Sequence, residues 1–256
     1  DSIFRQKIDA GKIEDIGNGR QLNTEKLLQL HPEVLMRFSS GQEENNDAFL
    51  QEKGISVIYN ADWREQNPLG RAEWLKLFGL LFHKEDMADS LFSEIEAKYK
   101  AIQKQIDSQS YRPKVFQGGM FGDKWFVPGG KSYAVQLIKD AGGHYLWNDD
   151  EHEGSVVLNY ENVIQKLPKA DAWLNPGMVN SKNALLQQLP FIKDLKVFQQ
   201  DQIYTYNLTK GPTGGVIYFE DSYAHPERAL SDLFKIFHPE KAKEVPFYYY
   251  KKLPKN

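Results

Sequence analysis

Two carboxylates, Glu65 and Glu220, stand in stretches that read as loops. A pair of carboxyl groups facing each other across a cleft can divide acid and base roles, as in glycoside hydrolysis. No spacing in the chain fixes their separation, so the pair defines a hydrolytic alternative and no more. Other catalytic signatures fail on residue type. Gly211-Pro212-Thr213-Gly214-Gly215 is glycine-rich, but no Lys-Ser or Lys-Thr follows it, and Pro212 removes an amide that a phosphate cradle would use. The Gly-x-Ser-x-Gly turn that presents a serine nucleophile does not occur. Cysteine is absent, which excludes disulfides, thiolate metal sites and a cysteine nucleophile together. The histidines His31, His83, His144, His152, His225 and His238 include no His-x-x-x-His pair. A zinc or manganese site built from imidazoles is therefore not expected, and neither a resident metal nor a cofactor is assigned.

What the expected loops do hold is aromatic. The chain has 13 Tyr, 15 Phe and 5 Trp, and Trp63, Arg64, Phe121, Trp125, Phe126, Met178, Tyr218 and Glu220 all fall in or beside connecting segments. Broad apolar faces with a few charged tips suit a large, partly apolar ligand such as a porphyrin, a corrin or a catecholate complex. Arg64 would meet an anionic group on such a ligand. Arg71 and Glu73 fit better as support for a helix start, where a glutamate is favourable. On this reading Trp125→Ala should weaken ligand binding several-fold.

An alternation of strands and helices positions these loops, which is the pattern of an α/β architecture with largely parallel sheets. Helices are expected over 23–30, 46–53, 132–141, 160–167, 184–189 and 226–237. Strands are expected over 34–38, 55–59, 114–117, 172–175 and 202–206. Ligands of open α/β sheets bind beyond the carboxyl ends of the strands. That rule sends loops 39–46, 60–67, 118–131, 175–181 and 207–218 to a ligand cleft. The stretch from Pro68 to Ser110 differs, with apolar residues recurring at helical spacing and a long helix expected from Glu85 to about Asp107. The expected organisation is two Rossmann-like lobes, 1–70 and 111–256, joined by one long rigid helix within a helical region over 71–110.

Bulk properties narrow the function classes. Among the 256 residues, 41% are hydrophobic and 26% charged, an ordinary balance for a globular protein. A net charge of −3 leaves no basic field to attract nucleic acid or an anionic membrane surface. No apolar run approaches the roughly 20 residues of a membrane-spanning helix, and the opening Asp1-Ser2-Ile3-Phe4-Arg5 is not a signal peptide.

Short motifs, taken in order, carry a resemblance. The run Leu22-Asn23-Thr24-Glu25-Lys26-Leu27-Leu28-Gln29-Leu30-His31-Pro32-Glu33-Val34-Leu35 leads towards a first-lobe strand, and Pro68-Leu69-Gly70-Arg71-Ala72-Glu73-Trp74 opens the linking region. Trp125-Phe126-Val127-Pro128-Gly129-Gly130-Lys131-Ser132-Tyr133, followed by Asp140-Ala141-Gly142-Gly143, marks the second lobe's opening. Pro226-Glu227-Arg228 with His238-Pro239-Glu240 marks its end. Together they resemble the class III substrate-binding proteins of ABC importers for iron–siderophore complexes, haem and vitamin B12, in the branch found in Bacteroidetes-type bacteria.

The resemblance implies a binding protein and not an enzyme, which captures a metal chelate and delivers it to the permease subunits of the importer. It places Tyr218-Phe219-Glu220-Asp221 at the second lobe's pocket rim. It also implies one acidic docking residue per lobe, Glu44 in the first and Asp194 in the second, each meeting arginines on the membrane subunits. Such rim charges tune association rate and register more than affinity. Family members are periplasmic and carry a lipoprotein signal and a further strand–helix unit ahead of the stretch that begins here. The resemblance therefore implies a lipid-anchored precursor and a first lobe that is either incomplete at its start or unusually small.

Overall fold

A computed structural model describes residues 2–18, 21–38, 46–106, 111–242, 244 and 246–256. The chain divides into two compact units, Asp1–Arg64 and Glu65–Asn256.

In the first unit, helix α1 (Ser2–Asp9) precedes a short antiparallel pair, β1 (Gly17–Asn18) and β2 (Gln21–Leu22). Next come α2 (Thr24–Leu30), β3 (Val34–Phe38), α3 (Asp47–Glu52) and β4 (Ser56–Asn60). Asn23 starts α2 by accepting the Lys26 amide at 3.0 Å, and His31 stops it in a left-handed conformation. Strands β3 and β4 run parallel with Phe38 opposite Asn60. Leu27, Leu35, Leu50 and Ile55 form their core. At the start of α3, Asp47 accepts from both Arg37 on β3 and Tyr59 on β4, tying the helix to both strands.

The second unit opens with three helices: α4 (Pro68–Glu73), α5 (Leu75–Leu81) and α6 (Glu85–Gln103). The long helix expected from Glu85 forms as α6, but the helical stretch ahead of it is not continuous with it as a single rod. The chain breaks at Trp74 and again at His83, whose φ of 53° is left-handed. A side chain built on Gly79 would sit 2.5 Å from the Ala88 Cβ, so α5 and α6 approach as closely as glycine allows. Nor does α6 stand outside the second unit. Tyr99 is buried in that unit's core and donates to Asp140 at 2.6 Å, while Phe92 and Ile95 pack on Ala72 of α4.

There follow β5 (Lys114–Gln117), β6 (Gly119–Phe121), β7 (Lys124–Pro128), α7 (Tyr133–Asp140), β8 (His144–Tyr145), β9 (Ser155–Leu158), α8 (Tyr160–Lys166) and β10 (Ala172–Leu174). The chain finishes with α9 (Lys182–Gln188), α10 (Lys196–Gln199), β11 (Ile203–Thr205), α11 (Tyr218–Ala224), α12 (Pro226–Phe237) and β12 (Lys251–Lys252). The main sheet has the order β12-β11-β10-β5-β8, parallel except for β12 at one edge. Successive residues of its strands feed opposite cores. Val115, Leu174 and Tyr204 join one cluster, while Phe116, Trp173 and Ile203 join the other. That two-sided burial is what makes parallel strands read as continuous apolar runs. The stretch 118–131, expected to be a loop, instead contributes β6 and β7 to an antiparallel sheet with β9.

Arg71, expected only to support a helix start, is buried in α4 with its guanidinium 4.6 Å from the Tyr133 ring centre and 4.1 Å from that of Tyr223. A cation between two aromatic faces, removed from water, joins α4 to α7 and α11. Arg71→Ala should lower stability by about 2 kcal/mol in urea denaturation. A loss below about 0.5 kcal/mol would show that these two cation–π contacts contribute nothing.

Candidate functional site

Each unit presents exposed aromatic surface at the carboxyl edge of its parallel strands. In the first unit Phe38 ends β3 and Asn60 ends β4. The Asn60 side chain accepts the Asp62 amide at 2.8 Å, turning the chain into a short 3-10 segment, Asp62–Arg64. Trp63 thereby stacks on Phe38, with ring centres 5.6 Å apart and planes at 28°. Both rings are exposed, 67% for Phe38 and 46% for Trp63, and Arg64 is exposed beside them. Phe38 was missed from sequence, although the last apolar residue of a parallel strand is where the edge rule points.

The second unit's edge is organised by Asn175, which follows β10 with a left-handed φ of 55°. Its side-chain oxygen accepts the Tyr206 amide at 3.1 Å and its amide group donates to the Tyr250 hydroxyl at 3.5 Å. Tyr206 stacks on Tyr218 with ring centres 4.8 Å apart and planes at 8°, and Phe219 meets Tyr206 edge-on at 4.9 Å. Burial pushes the hydroxyls of Tyr206 and Tyr218 above the ordinary phenol range, so both stay neutral.

Beside this cluster lies the β6–β7 hairpin. A side chain on Gly119 would fall 2.4 Å from the Gly177 nitrogen, so the hairpin runs against the 176–177 backbone. From these adjacent pieces of chain project Phe121 and Met178, 71% and 92% exposed. Phe126, on the outer face of β7 opposite Gly119, is partly exposed as well.

Two of the residues expected to touch ligand are placed elsewhere. Trp125 is fully buried, because alternation along β7 turns it to the core face while Phe126 faces outward. Tyr218 is also buried, boxed in by Tyr206, Tyr249 and Tyr250. The exposed ring of that pair is Phe219, one position later, which the loop reading passed over because it did not foresee α11. Glu220 is exposed in the first turn of α11.

The hydrolytic pair finds no support in the second unit. Glu65 accepts the Trp74 indole N–H at 3.2 Å and lies against Gly70, a structural engagement at the start of α4. The Gly211–Gly215 loop closes on itself, with Gly211 donating to the Gly215 carbonyl and Gly214 to that of Gly211, so these amides are not turned to a phosphate. Asp194 is exposed at the end of the 3-10 segment Pro190–Asp194. Glu44 and most of the 39–46 loop lie outside the described residues.

Residues 5–207 match the model of a family described as periplasmic binding protein. An uncharacterized lipoprotein of Methanocaldococcus jannaschii is 25% identical over 240 residues, covering 93% of this chain and 55% of its own length. The high-affinity heme uptake system protein IsdE of Staphylococcus aureus is 21% identical over 233 residues, covering 90% of this chain and 76% of its own. Among solved structures, the periplasmic heme binding protein HutB of Vibrio cholerae superposes with a TM-score of 0.67 at 19% identity, over 88% of this chain and 86% of that one. The chain spans between 46% and 60% of the length of three relatives from the archaeon.

Proposed function

This chain belongs to the periplasmic binding protein family, and from that premise we propose that it captures a bulky, partly apolar metal chelate and delivers it to the membrane subunits of an ABC importer. The chelate class is haem, a ferric siderophore or a cobalamin, with haem favoured by the names of the relatives. One observation carries the reading. At the carboxyl edges of the strands, where α/β proteins bind ligands, the chain leaves Phe38, Trp63, Phe121, Met178 and Phe219 exposed. Large apolar side chains left exposed at the edge of each unit serve recognition better than solubility.

The chelate lies with a flat apolar face on such an edge; Arg64 is available to an anionic substituent at the first unit's edge, and Glu220 stands at the rim of the second unit's edge. It is released unchanged, since the protein's part is capture. Asp194 serves as the docking carboxylate of the second unit and Glu44 as that of the first. Lipoprotein naming among the relatives supports a lipid-anchored periplasmic protein.

Titration with haem, followed by its Soret absorbance and by tryptophan quenching, should saturate at one ligand per chain with no product formed. The double variant Phe121→Ser/Met178→Ser should bind at least tenfold more weakly, about 1.4 kcal/mol, while unfolding within about 0.5 kcal/mol of the parent. Undiminished binding by the double variant would remove this edge from the site. If haem, a ferric catecholate and cobalamin all fail to bind, the reading itself falls.

A further inference from the structure

The second unit carries a groove of about 500 Å³ that the site above does not use. Leu91, Ile95 and Ile102 of α6 form one wall, and the start of α12 with Tyr248 forms the other. At the α12 side stands Glu227, in the first turn of a helix of 12 residues. Its side chain is only 9% exposed. One carboxylate oxygen, Oε1, lies 3.2 Å from His225 Nδ1 and 3.9 Å from Arg228 Nε. The other, Oε2, is buried and meets no hydrogen-bond donor among the described residues. A buried, unsatisfied carboxylate oxygen is costly, and where one persists in a native structure it calls for a partner.

The neighbouring charges do not supply that partner. Lys98 bridges to Glu94 at 2.6 Å, and Arg228 bridges to Asp221 at 2.9 Å. Lys98 is matched by Glu94, and Arg228 is shared, closer to Asp221 than to Glu227, so three carboxylates face two such cations and Oε2 of Glu227 is the oxygen left over.

We propose that this groove is a binding site for a small aliphatic ammonium ligand. Its hydrocarbon chain would lie along Leu91, Ile95 and Ile102, and its N–H would donate to Glu227. A charged donor fits better than a neutral one, because charge-assisted bonds to carboxylate are roughly twice as strong as neutral ones. Oε2 sits beneath the groove surface, so presenting it turns the carboxylate about its broad terminal torsion and exchanges the Oε1–His225 contact for the ligand's charged donor.

The probe is n-pentylamine, with n-pentanol as the uncharged control of the same length. In methyl NMR spectra the amine should shift the Leu91, Ile95 and Ile102 signals saturably, and pentanol should bind at least tenfold more weakly. Glu227→Gln should weaken the amine at least tenfold. Ala101→Trp, which fills the groove from the exposed face of α6 and keeps the carboxylate, should abolish binding if the Gln variant proves unstable. Absence of saturable shifts, equal affinity for the alcohol, or unchanged amine binding in either variant overturns the site. An amine displaced only when lysine-rich peptides are added would assign the groove to a basic side chain of a protein partner, which also overturns the small-molecule ligand. Haem titration of the same samples reads the other site separately, so failure of one does not touch the other.

Discussion

Trp125→Ala is expected to cost about 3–5 kcal/mol of stability, the range for truncating a large aromatic in a packed core. The ring lies 5.8 Å from Phe116 and 6.1 Å from Trp173 between centres, in a core that also takes Val127, Leu167 and Ile192. Its ring neighbours Phe116 and Trp173 belong to the main sheet and are fixed by its ladder, so they do not collapse into the space. The indole N–H is buried without an acceptor among the described residues, so truncation breaks no hydrogen bond and the loss is one of packing. In a unit of this size such a loss lowers Tm by roughly 6–20 °C. Urea denaturation of the ligand-free protein is the measurement, with Phe121→Ala as its contrast. Phe121 is 71% exposed, and its truncation should stay within about 0.5 kcal/mol. A Trp125→Ala protein of unchanged stability that has lost chelate binding would return this tryptophan to the pocket.

The error over Trp125 shows where sequence reading reaches its limit. The strands of the main sheet are legible because parallel strands covered on both faces appear as unbroken apolar runs, as in Val115-Phe116 and Ala172-Trp173-Leu174. Helices with a clean cap are legible too. Asn23, Ser132 and Asn159 each accept an amide three residues on, close to where the expected helices begin. The β6–β7 hairpin hides behind Gly118, Gly119 and Gly122, which look like a loop. Gly118 and Gly122 supply positive φ, while Gly119 lets the hairpin pass against Gly177. Once the hairpin is recognised, the alternation Lys124, Trp125, Phe126, Val127 assigns Trp125 inward and Phe126 outward without further information. Helical periodicity over 68–106 was real, but it carries no record of the breaks at Trp74 and His83. Neither glycine nor proline marks them, and tertiary packing of α5 on α6 decides them. The candidate site was legible as a class of surface, aromatic and at the carboxyl edge. Which ring of each neighbouring pair faces out was not, because that depends on one-residue register.

Asp232→Ala is expected to detach the segment that backs the second unit's aromatic edge. Asp232 is fully buried on α12, where Oδ1 accepts the Tyr248 amide at 2.9 Å and Oδ2 accepts those of Tyr249 and Tyr250 at 2.7 and 2.9 Å. Tyr249 and Tyr250 in turn pack edge-on against Tyr218, which supports Tyr206. Removing the carboxylate leaves three amides without their acceptor, those of Tyr249 and Tyr250 buried and costing about 1–3 kcal/mol each, so a total loss of about 3 kcal/mol should appear in urea denaturation. Hydrogen exchange should report the same event locally, with protection lost at the Tyr249 and Tyr250 amides and kept in β10.

The pH response separates the carboxylate's hydrogen bonds from its charge. Burial raises the Asp232 pKa to about 6, against the pull of the three amides. The folded protein therefore holds this proton more tightly than the unfolded chain does. The stability it contributes is greatest below the ordinary carboxylate range and declines as pH rises from there to about 6. Asp232→Asn carries no proton to lose, so the wild type's advantage over it should shrink across that window. An advantage that instead grows with pH would mean that the three amides stabilise the ionised form more strongly than burial penalises it.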